Sequence, residues 1–600
     1  MHRAFDYALP DPLAAQLCVG TIVRVPLHGR RVRGWVLDDS LSDAATDAHA
    51  GPLRAVLGVV SAGPPPDVVE LCRWAAWRWA GPLATFLRVA SPTNRVPAVE
   101  QPERETAVYP ELSDPGHPPP GDAVIVVAPS EVPDARGLVA SEGSTLIIDP
   151  SPARAAHLAG TLEAEGRDVV TVGSEHSAAH RTRAWDRARA GACVVIGGRT
   201  AVWAPVPDLA AVVVLDDADE ALEDERAPTW NGRDVAIERA RRAGARIRIV
   251  TPAPTVDALV GMGEPVGEPA GERWSVARAP RPTRWPRVQV VDQRDEEPGH
   301  GMLSAELADA LHRTVDRGER AVCVLNRTGR ARLLACNTCR ELARCEACGA
   351  TVQESDDGLV CAHCGTERPR VCLHCQAGTF RALRLGIGRV RDDLAALLPR
   401  TTVAAIDAHS DTEQHAPRED VLVGTEAVLH RVGPGAEVGL VAFLELDQEL
   451  LAPRARAAEQ ALWLLVRGAR LLEAPPVGSR GRMLLVQTRI PGHEVVRAAV
   501  ESDPWLVADA ECARRRVLGY PPFGGVAELR GAAEAVTAAC AALRDRPGVD
   551  VLGPVDLSGS ARALVKTASF KSLCDALAEP TLAAARALGR LRIDVDPRRV

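Results

Sequence analysis

The sequence predicts a multidomain α/β protein that carries a cysteine-rich insertion. The chain has 600 residues, more than one hydrophobic core normally supports, so about three to five domains are expected. Apolar strand segments alternate with amphipathic helices through two long stretches, which is typical of parallel sheets covered by helices on both faces. Four Cys-x-x-Cys pairs stand between residues 336 and 375. Together these features predict several domains, two of them built on parallel sheets, with a metal-binding insertion.

Residues 1–97 predict a small β-rich domain that closes on a helix. Three short β patterns, "TIVRVPL", "RVRGWVL" and "LRAVLGVV", are separated by turns, and the Trp-rich stretch "VVELCRWAAWRWAGPLATFL" is helical in character. The segment "VRVPLHGRRVRGWV" holds four arginines and no acid, so a local basic surface is expected although the chain has a net charge of −8. Residues 98–120 are rich in proline and acids and predict a linker.

Two βα domains are predicted in tandem. The first, residues 121–265, contains the strands "AVIVVAP", "STLIIDP", "ACVVIGG", "AAVVVLDD" and "RIRIVTPAP". The second, residues 286–490, contains "AVCVLN", "TTVAAID", "EDVLVGT", "LVAFLELD" and "MLLVQT". Such a pair suggests the two RecA-like lobes of a nucleic-acid translocase. Residues 491–600 mix helix and strand and predict an α+β C-terminal domain.

The strand "VVVLDDADE", residues 212–220, presents acids at its end. Nucleotide-driven motors hold Mg²⁺ and water beside a phosphate with acids in such a position. A buried strand that leaves the core into a solvated acidic turn has the same pattern. The fragment alone therefore leaves both interpretations open.

The cysteine pairs predict two structural zinc sites. Each pair can clamp one face of a tetrahedral Zn²⁺, and eight thiolates complete two closed Cys₄ sites. Three pairings are possible, and the spacing favours the nested one. Twelve residues between the second and third pairs suit a hairpin, whereas five between the first and second leave little room around an ion. The nested pairing predicts one zinc ion on Cys336, Cys339, Cys372 and Cys375 and a second on Cys345, Cys348, Cys361 and Cys364.

Charge predicts that this insertion contacts protein rather than DNA. Residues 336–375 contain four arginines and six acids, and each Zn(Cys)₄ centre adds about −2 by formal charge. A module of that sign is poorly suited to holding a phosphate backbone.

The chain shows no secretion or membrane signal. Its start, "MHRAFDYALPDPLAAQ", has no apolar stretch, and no run of about 18 apolar residues follows. We therefore expect a cytoplasmic protein that contacts no membrane. In a reducing compartment the cysteines are metal ligands or buried thiols rather than disulfides.

A series of motifs, taken in order, resembles the primosomal protein N′ (PriA) family of replication-restart helicases. The series comprises "FDYALP", "VRVPLHGRRVRG", "IGGRTAVWAP", "VVVLDDAD", "VTPAPT", "AVCVLNRTGRARLLACNTCR", "VLVGTEAV", "RARAAEQ", "LLVQTRIPGHEVVRAAV", "LGYPPFG" and "VLGPV…IDVDP". The likeness covers nearly the whole chain, and the eight-cysteine insertion lies where the family carries its own.

The sequence departs from this family in its motor motifs. No GxxxxGK[ST] is present, and the expected P-loop position reads "VVAPSEVPDARG". The family's D-E-E-H is replaced by Asp216, Asp217, Ala218 and Asp219, and its Q-V-A-G-R-A-G-R by "RGARLLEA". Loss of arginine-finger charge alone costs about 10³- to 10⁵-fold in rate, and loss of the P-loop lysine would also be crippling. The lobes are therefore expected to be a degenerate helicase core without ATP hydrolysis.

The resemblance implies a nucleoid-associated protein that binds abandoned replication forks and single-stranded DNA. It also implies contacts with primosome proteins, the replicative helicase or its loader, and single-stranded DNA-binding protein. In the family the first domain captures the 3′ end of the leading strand. Its pocket residues correspond here to Phe5, Asp6, Tyr7, Gly29 and Arg54. An aromatic ring can stack on an unpaired base, a carboxylate can accept from a 3′-hydroxyl, and an arginine can meet a phosphate.

Two other functions remain open from the sequence. One is a working helicase with an unrecognised nucleotide site. The other is a zinc-ribbon adaptor between proteins that no longer binds DNA.

Overall fold

The computed structural model describes residues 4–14, 16–39, 53–97, 123–131, 133–261, 285–294, 302–325, 333–347, 349–355, 358–361, 365–383, 387–406, 419–432, 437–452, 454–472, 481–556, 559–578 and 581–598. In these ranges the protein is a multidomain α/β molecule with two six-stranded parallel sheets. No helix within them is both long and apolar enough to cross a membrane. The predicted linker, residues 98–120, lies outside the described residues.

The N-terminal sheet has three antiparallel strands. Its elements are α1 (Asp11–Ala14), β1 (Ile22–Leu27), β2 (Arg30–Trp35) and β3 (Gly58–Ser61), in the sheet order β2-β1-β3. His28 and Gly29 close the β1–β2 hairpin with φ of +46° and +77°, as a two-residue hairpin turn requires. The chain before α1 lies along residues 54–56, because Ala8 N–H donates to Arg54 O at 2.9 Å.

Two helices, α2 (Pro66–Arg78) and α3 (Leu83–Ala90), connect the N-terminal sheet to the rest of the molecule. The rings of Trp79, Phe86 and Trp203 pack in a row, with centroids 6.5 and 5.8 Å apart, and Trp203 belongs to the next domain. In the opposite direction, Trp77 Nε1 donates to Asp575 of the C-terminal domain at 2.9 Å. The two helices therefore belong to a core shared by three parts of the chain.

Lobe 1 is the first parallel sheet with its helices. Its strands are β4 (Ala123–Val126), β5 (Ser144–Ile148), β6 (Val169–Val172), β7 (Val194–Gly197), β8 (Leu209–Leu215) and β9 (Arg246–Thr251), in the order β4-β9-β8-β5-β7-β6. Its helices are α4 (Ala135–Leu138), α5 (Pro152–Ala164), α6 (Ala178–Arg189), α7 (Gly232–Ala243) and α8 (Val256–Gly261), with short 3₁₀ turns at Arg199–Trp203 and Glu220–Leu222. Val212 and Val213 of β8 enter different cores on opposite faces of the sheet. Burial on both faces explains why these strands are continuous apolar runs.

Lobe 2 is the second parallel sheet with its helices. Its strands are β10 (Arg287–Asp292), β11 (Arg320–Val324), β17 (Val403–Ile406), β18 (Val421–Gly424), β19 (Val438–Phe443) and β20 (Met483–Thr488), in the order β10-β20-β19-β11-β18-β17. Its helices are α9 (Ala305–Asp316), α10 (Ile387–Leu397), α11 (Ala427–Arg431), α12 (Asp447–Leu450) and α13 (Ala457–Leu471). Two further helices follow, α14 (Glu494–Glu501) and α15 (Trp505–Leu518). Val495 and Val507 from them belong to the core of lobe 2.

The cysteine-rich insertion lies between β11 and β17. It contains β12 (Leu333–Cys336), β13 (Val352–Ser355), β14 (Gly358–Cys361), β15 (Glu367–Arg368) and β16 (Phe380–Leu383). Strand β12 pairs with β16, and β13, β14 and β15 form a second small sheet. Ala335 and Leu342 pack against Leu451 and Ile490 of lobe 2, which fixes the insertion to that lobe.

The C-terminal sheet has four antiparallel strands with helices against it. Its elements are β21 (Gly525–Ala532), α16 (Ala533–Arg544), β22 (Val549–Asp556), β23 (Ser560–Thr567), α17 (Phe570–Leu577), α18 (Ala583–Ala587) and β24 (Leu591–Val595), in the sheet order β22-β23-β21-β24. Leu529, Val536 and Val565 pack in the core shared with lobe 1 and with helices α2 and α3. The C-terminal and N-terminal domains are therefore built onto the same face of lobe 1.

Candidate functional site

The N-terminal segment lines a cavity of about 1730 Å³. A site for one small molecule encloses about 300–1,000 Å³, so this cavity has room for a larger ligand. Phe5, Asp6 and Tyr7 all line it. Phe5 is 43% exposed, while Tyr7 is held in place because its hydroxyl donates to Pro26 O at 3.2 Å. The structure thus brings three of the five expected DNA-binding residues to one cavity.

Gly29 and Arg54 lie elsewhere on the same domain and do not line this cavity. Gly29 is at the exposed tip of the β1–β2 hairpin, where a side chain would meet no atom within 4 Å. Its φ of +77° is nevertheless one that glycine adopts most easily. Arg54 has an exposed side chain beside the segment that carries Phe5 and Tyr7.

Arginines other than the five expected DNA-binding residues also line the cavity. Arg33 comes from β2, Arg88 from α3 and Arg181 from α6 of lobe 1. Within the described part of the chain, neither Arg33 nor Arg88 forms an ion pair. The acid-free arginine run points to Arg33 in the sequence. No local signal marks Arg88 or Arg181, which the fold brings together from distant segments.

Residues 91–93 join the N-terminal sheet to lobe 1 along this cavity. Trp35 Nε1 donates to Ser91 Oγ at 2.9 Å, and Arg181 Nε donates to Thr93 Oγ1 at 3.3 Å. Trp185 of lobe 1 donates to Ala90 O at 2.8 Å. The cavity wall is therefore continuous from the N-terminal domain to lobe 1.

The acidic motif after β8 faces lobe 2, and two arginines form ion pairs with its first carboxylate, that of Asp216. Arg470 of α13 donates through Nη1 and Nη2 to the two oxygens of Asp216 at 2.7 and 2.6 Å. Arg154 of α5 lies 2.7 Å from the same carboxylate and 2.7 Å from Asp149. A bidentate guanidinium–carboxylate pair uses the oxygens that a cation would otherwise coordinate.

In the segment after β4, where a P-loop is expected, the described residues 127–131 contact groups of the protein itself. Arg470 Nε donates to Pro129 O at 2.9 Å, and Ala128 N–H donates to the Glu131 carboxylate at 3.3 Å. A phosphate cradle needs free backbone N–H groups and a lysine. The chain's only lysines are Lys566 and Lys571, both in the C-terminal domain. Arg470 and Glu131 thus contact the backbone at the expected P-loop position.

The other residues of the acidic motif maintain local structure. Asp217 accepts from the Thr255 hydroxyl at 2.6 Å and from Thr255 N–H at 3.0 Å. Ala218 packs against the core of lobe 2, and Asp219 accepts from Ala221 N–H at 2.8 Å. Both Asp217 and Asp219 thus accept hydrogen bonds from the protein's own backbone.

Asp216 and Asp217 respond differently to burial. Burial opposes ionisation of Asp216, but the charges of Arg470 and Arg154 outweigh it, so the pKa of Asp216 lies below its ordinary value. Burial dominates at Asp217 despite Arg233 and the Thr255 hydrogen bonds, so the pKa of Asp217 is raised. Asp216 is therefore an ionised carboxylate whose charge is balanced inside the protein.

A second set of buried ion pairs joins both lobes to helix α15. Arg515, 1% exposed, lies 3.1 Å from Asp257 of lobe 1 and 2.5 Å from Glu459 of lobe 2. It also lies 3.0 Å from Glu511 of its own helix. Glu459 in turn accepts from Val256 N–H of lobe 1 at 2.8 Å. One guanidinium therefore links three parts of the chain.

Four thiols of the insertion form a compact cluster. The Sγ atoms of Cys336, Cys339, Cys372 and Cys375 all lie within 4.8 Å of one another. The Cys336–Cys375 and Cys339–Cys372 Sγ distances are both 3.5 Å. Thiolates at about 2.3 Å from a tetrahedral zinc ion stand about 3.8 Å apart, so this set fits a single metal ion.

All four Cys-x-x-Cys pairs share one turn geometry. In each, the carbonyl of the first cysteine accepts from the N–H four residues later, and that later residue has φ between +63° and +74°. The donor and acceptor residues are Arg340 and Cys336, Gly349 and Cys345, Gly365 and Cys361, and Gln376 and Cys372. Cys345 and Cys361 are buried in the same apolar cluster as the first set. Cys348 and Cys364 lie outside the described residues.

Comparisons with known families match both ends of the chain. Residues 1–92 match the model of the 3′DNA-binding domain (3′BD) of PriA, and residues 516–598 match the primosomal protein N C-terminal domain. The first match contains every residue of the N-terminal sheet described above.

Relatives match most of the chain. "Probable replication restart protein PriA" of Mycobacterium tuberculosis strain H37Rv is 31% identical over 622 residues, covering 94% of this chain and 90% of the relative. "Replication restart protein PriA" of Treponema pallidum is 28% identical and covers 65% of this chain and 61% of the relative. Among solved structures, Saccharomyces cerevisiae Dbp5 bound to RNA and ADP BeF3 gives a TM-score of 0.33 at 9% identity, over 65% of this chain and 84% of that one. The chain matches the mycobacterial relative along nearly its whole length and carries both terminal domains, and it therefore belongs to the replication restart protein PriA family.

Proposed function

We propose that this protein binds the 3′ end of the leading strand at abandoned replication forks and promotes reloading of the replicative helicase there, without hydrolysing ATP. The observation that carries the proposal is the contrast between two sites. The cavity beside the matched 3′DNA-binding domain is open, and Arg33 and Arg88 line it without forming ion pairs within the described residues. In contrast, arginines of the protein itself pair with Asp216 of the motor's acidic motif.

The open cavity supports recognition of a strand end. Phe5 offers an exposed ring for an unpaired base, and Asp6 offers an acceptor for a terminal 3′-hydroxyl. Arg33 and Arg88 supply charge for the phosphates that follow, with Arg54 as a further contact beside the same segment. Gly29 contributes by letting the hairpin turn close tightly.

The filled motif supports loss of the motor. Hydrolysis needs a metal ion on the first acid, a base or water-positioning residue, and a cation on the γ-phosphate. Here Asp216 forms ion pairs with Arg470 and Arg154. Asp217 accepts a hydrogen bond from Thr255, and the expected P-loop segment contains no lysine. An active helicase would have to displace Arg470 from Asp216 before it could bind Mg²⁺.

The insertion is proposed to hold two zinc ions. The clustered thiols would hold the first, and Cys345, Cys348, Cys361 and Cys364 would hold the second. The common turn geometry of all four pairs supports this assignment. Zinc at these sites would fix the fold of a module that has little apolar core of its own. Because the module has more acids than arginines, it presents a surface for primosome proteins or the helicase loader rather than for DNA.

The test compares two forks that differ only at the leading-strand end, one with a 3′-hydroxyl and one with a 3′-phosphate. Phosphate removes the donor that Asp6 needs and adds negative charge beside it. Loss of a hydrogen bond to a charged acceptor costs about 1.5–3 kcal/mol, so the 3′-hydroxyl fork should bind about 10- to 150-fold more tightly in a fluorescence titration.

Variants separate the contributions to fork binding. Asp6→Ala should remove the difference between the two ends, while Asp39→Ala, which removes another exposed acid of the same cavity, should keep it. Arg88→Ala should weaken both forks and reduce the salt dependence, whereas Arg95→Ala, outside the cavity, should do neither. Equal affinity of the unaltered protein for both forks would refute end recognition.

A further inference from the structure

The ion pairs between the lobes have a consequence beyond the loss of hydrolysis. In a two-lobed motor, nucleotide bound in the cleft draws the lobes together, and its release lets them part. In this protein the bridging groups are side chains, since Arg470 of lobe 2 lies directly on Asp216 of lobe 1. Such a bridge does not leave with a product.

The bridge is electrostatically complete. Arg154 and Arg470 contribute two positive charges, and Asp149 and Asp216 contribute two negative charges. The guanidinium of Arg470 also lies 4.9 Å from the ring centroid of Trp463, two turns earlier on the same helix. Arg470 is thus held by a carboxylate, a carbonyl and an aromatic face, with no surplus charge for a polyphosphate.

A separate set of contacts joins the lobes at a second place. Arg456 of lobe 2 lies 3.1 Å from Asp257 of lobe 1 and 2.6 Å from Asp596 of the C-terminal domain. Arg515 links Asp257 to Glu459 as described above. Two points of attachment on different strands and helices restrict rotation as well as separation of the lobes.

We propose that the degenerate nucleotide site is an interlobe latch, formed by Asp149, Arg154, Asp216 and Arg470, that holds the two lobes in one closed arrangement whether or not nucleotide is present. The lobes then serve as a fixed platform that keeps the N-terminal cavity, the insertion and the C-terminal domain in constant relative positions. This inference is independent of how the protein recognises a DNA end.

The test is amide hydrogen exchange of the full chain, read on peptides that cover residues 126–131 and 213–222. The unaltered protein should show the same exchange with and without Mg²⁺-ATP. Arg470→Ala should speed exchange in both peptides at least tenfold. Arg467→Ala is the matched control, because Arg467 lies on the same helix but pairs with Glu426 within lobe 2, and it should leave both peptides unchanged.

A second variant covers the case in which Arg470→Ala fails to fold. The pair Asp216→Asn with Arg470→Met removes both charges together, so no uncompensated charge remains between the lobes while Arg154 keeps Asp149. This variant should fold and show the same faster exchange. The proposal is overturned if exchange in the folded latch variants matches that of the unaltered protein, or if Mg²⁺-ATP alone slows exchange in the unaltered protein.

Discussion

At the scale of single residues, the same side-chain type serves opposite purposes according to its neighbours. Asp216 is ionised because Arg470 and Arg154 outweigh its burial. Glu445, two residues after β19, is 5% exposed and is compensated less completely. Burial and the nearby charge of Asp447 raise the pKa of Glu445 to about 8, and Arg489 offsets this only in part. Ionisation is therefore favoured at the buried Asp216 of lobe 1 and opposed at the buried Glu445 of lobe 2.

Glu445→Gln should stabilise the protein at alkaline pH and have little effect at acidic pH. The folded pKa of Glu445 is about 8, above the ordinary value of about 4.3. The native protein thus loses stability as pH rises from about 4.3 to about 8. Glutamine has no charge to desolvate, so the variant escapes this loss. Calorimetric melting temperatures should differ more at pH 8 than at pH 5.5.

The control for this substitution is Glu437→Gln, because Glu437 is an exposed acid of lobe 2 that directly precedes β19. Its melting temperature should follow that of the unaltered protein at both pH values. A Glu445→Gln effect of the same size at pH 5.5 and pH 8 would show that the substitution acts through packing rather than through titration.

At the scale of elements, the local sequence predicts the turns of the cysteine-rich insertion more clearly than the structure of any other part. Four repeated Cys-x-x-Cys turns specify their own geometry, because each needs only one backbone hydrogen bond and one residue of positive φ. Gly349 and Gly365 supply that conformation in the inner pairs, while Arg340 and Gln376 adopt it in the outer pairs. Without metal, few contacts remain to hold these short strands together.

The purified protein should contain two zinc ions per chain. Cys372→Ser and Cys345→Ser should each reduce the metal content to about one, because each removes one thiolate from a different closed Cys₄ site. Cys18→Ser is the control, since Cys18 lies in the N-terminal domain and bonds Thr21, and it should retain two ions. Elemental analysis of protein prepared without chelator gives the numbers.

A metal content of one ion in the unaltered protein would remove the second site from the proposal. Equal loss of both ions in Cys345→Ser would show instead that the two sites fold as one unit.

At the scale of the whole molecule, sequence periodicity predicts the two parallel sheets but not how they meet. Continuous apolar strands such as β5 and β8 follow from burial on both faces, a local property. The contact of Arg470 with Asp216 joins residues 254 apart. Both lie in altered motor motifs, but neither motif indicates that the two side chains pair with each other. Helix α2 is likewise predicted as part of the N-terminal domain, yet its Trp77 donates a hydrogen bond to Asp575 of the C-terminal domain. Contacts between domains depend on placement, which local sequence does not encode.

The measurement that tests the account most directly is ATP hydrolysis assayed during fork binding, in the same sample. We expect tight binding of the 3′-hydroxyl fork with no hydrolysis above that of Asp216→Asn, whose neutral amide holds Mg²⁺ much less tightly than a carboxylate does. Hydrolysis that is stimulated by forked or single-stranded DNA and lost in Asp216→Asn would contradict it, because Asp216 would then serve a nucleotide rather than Arg470.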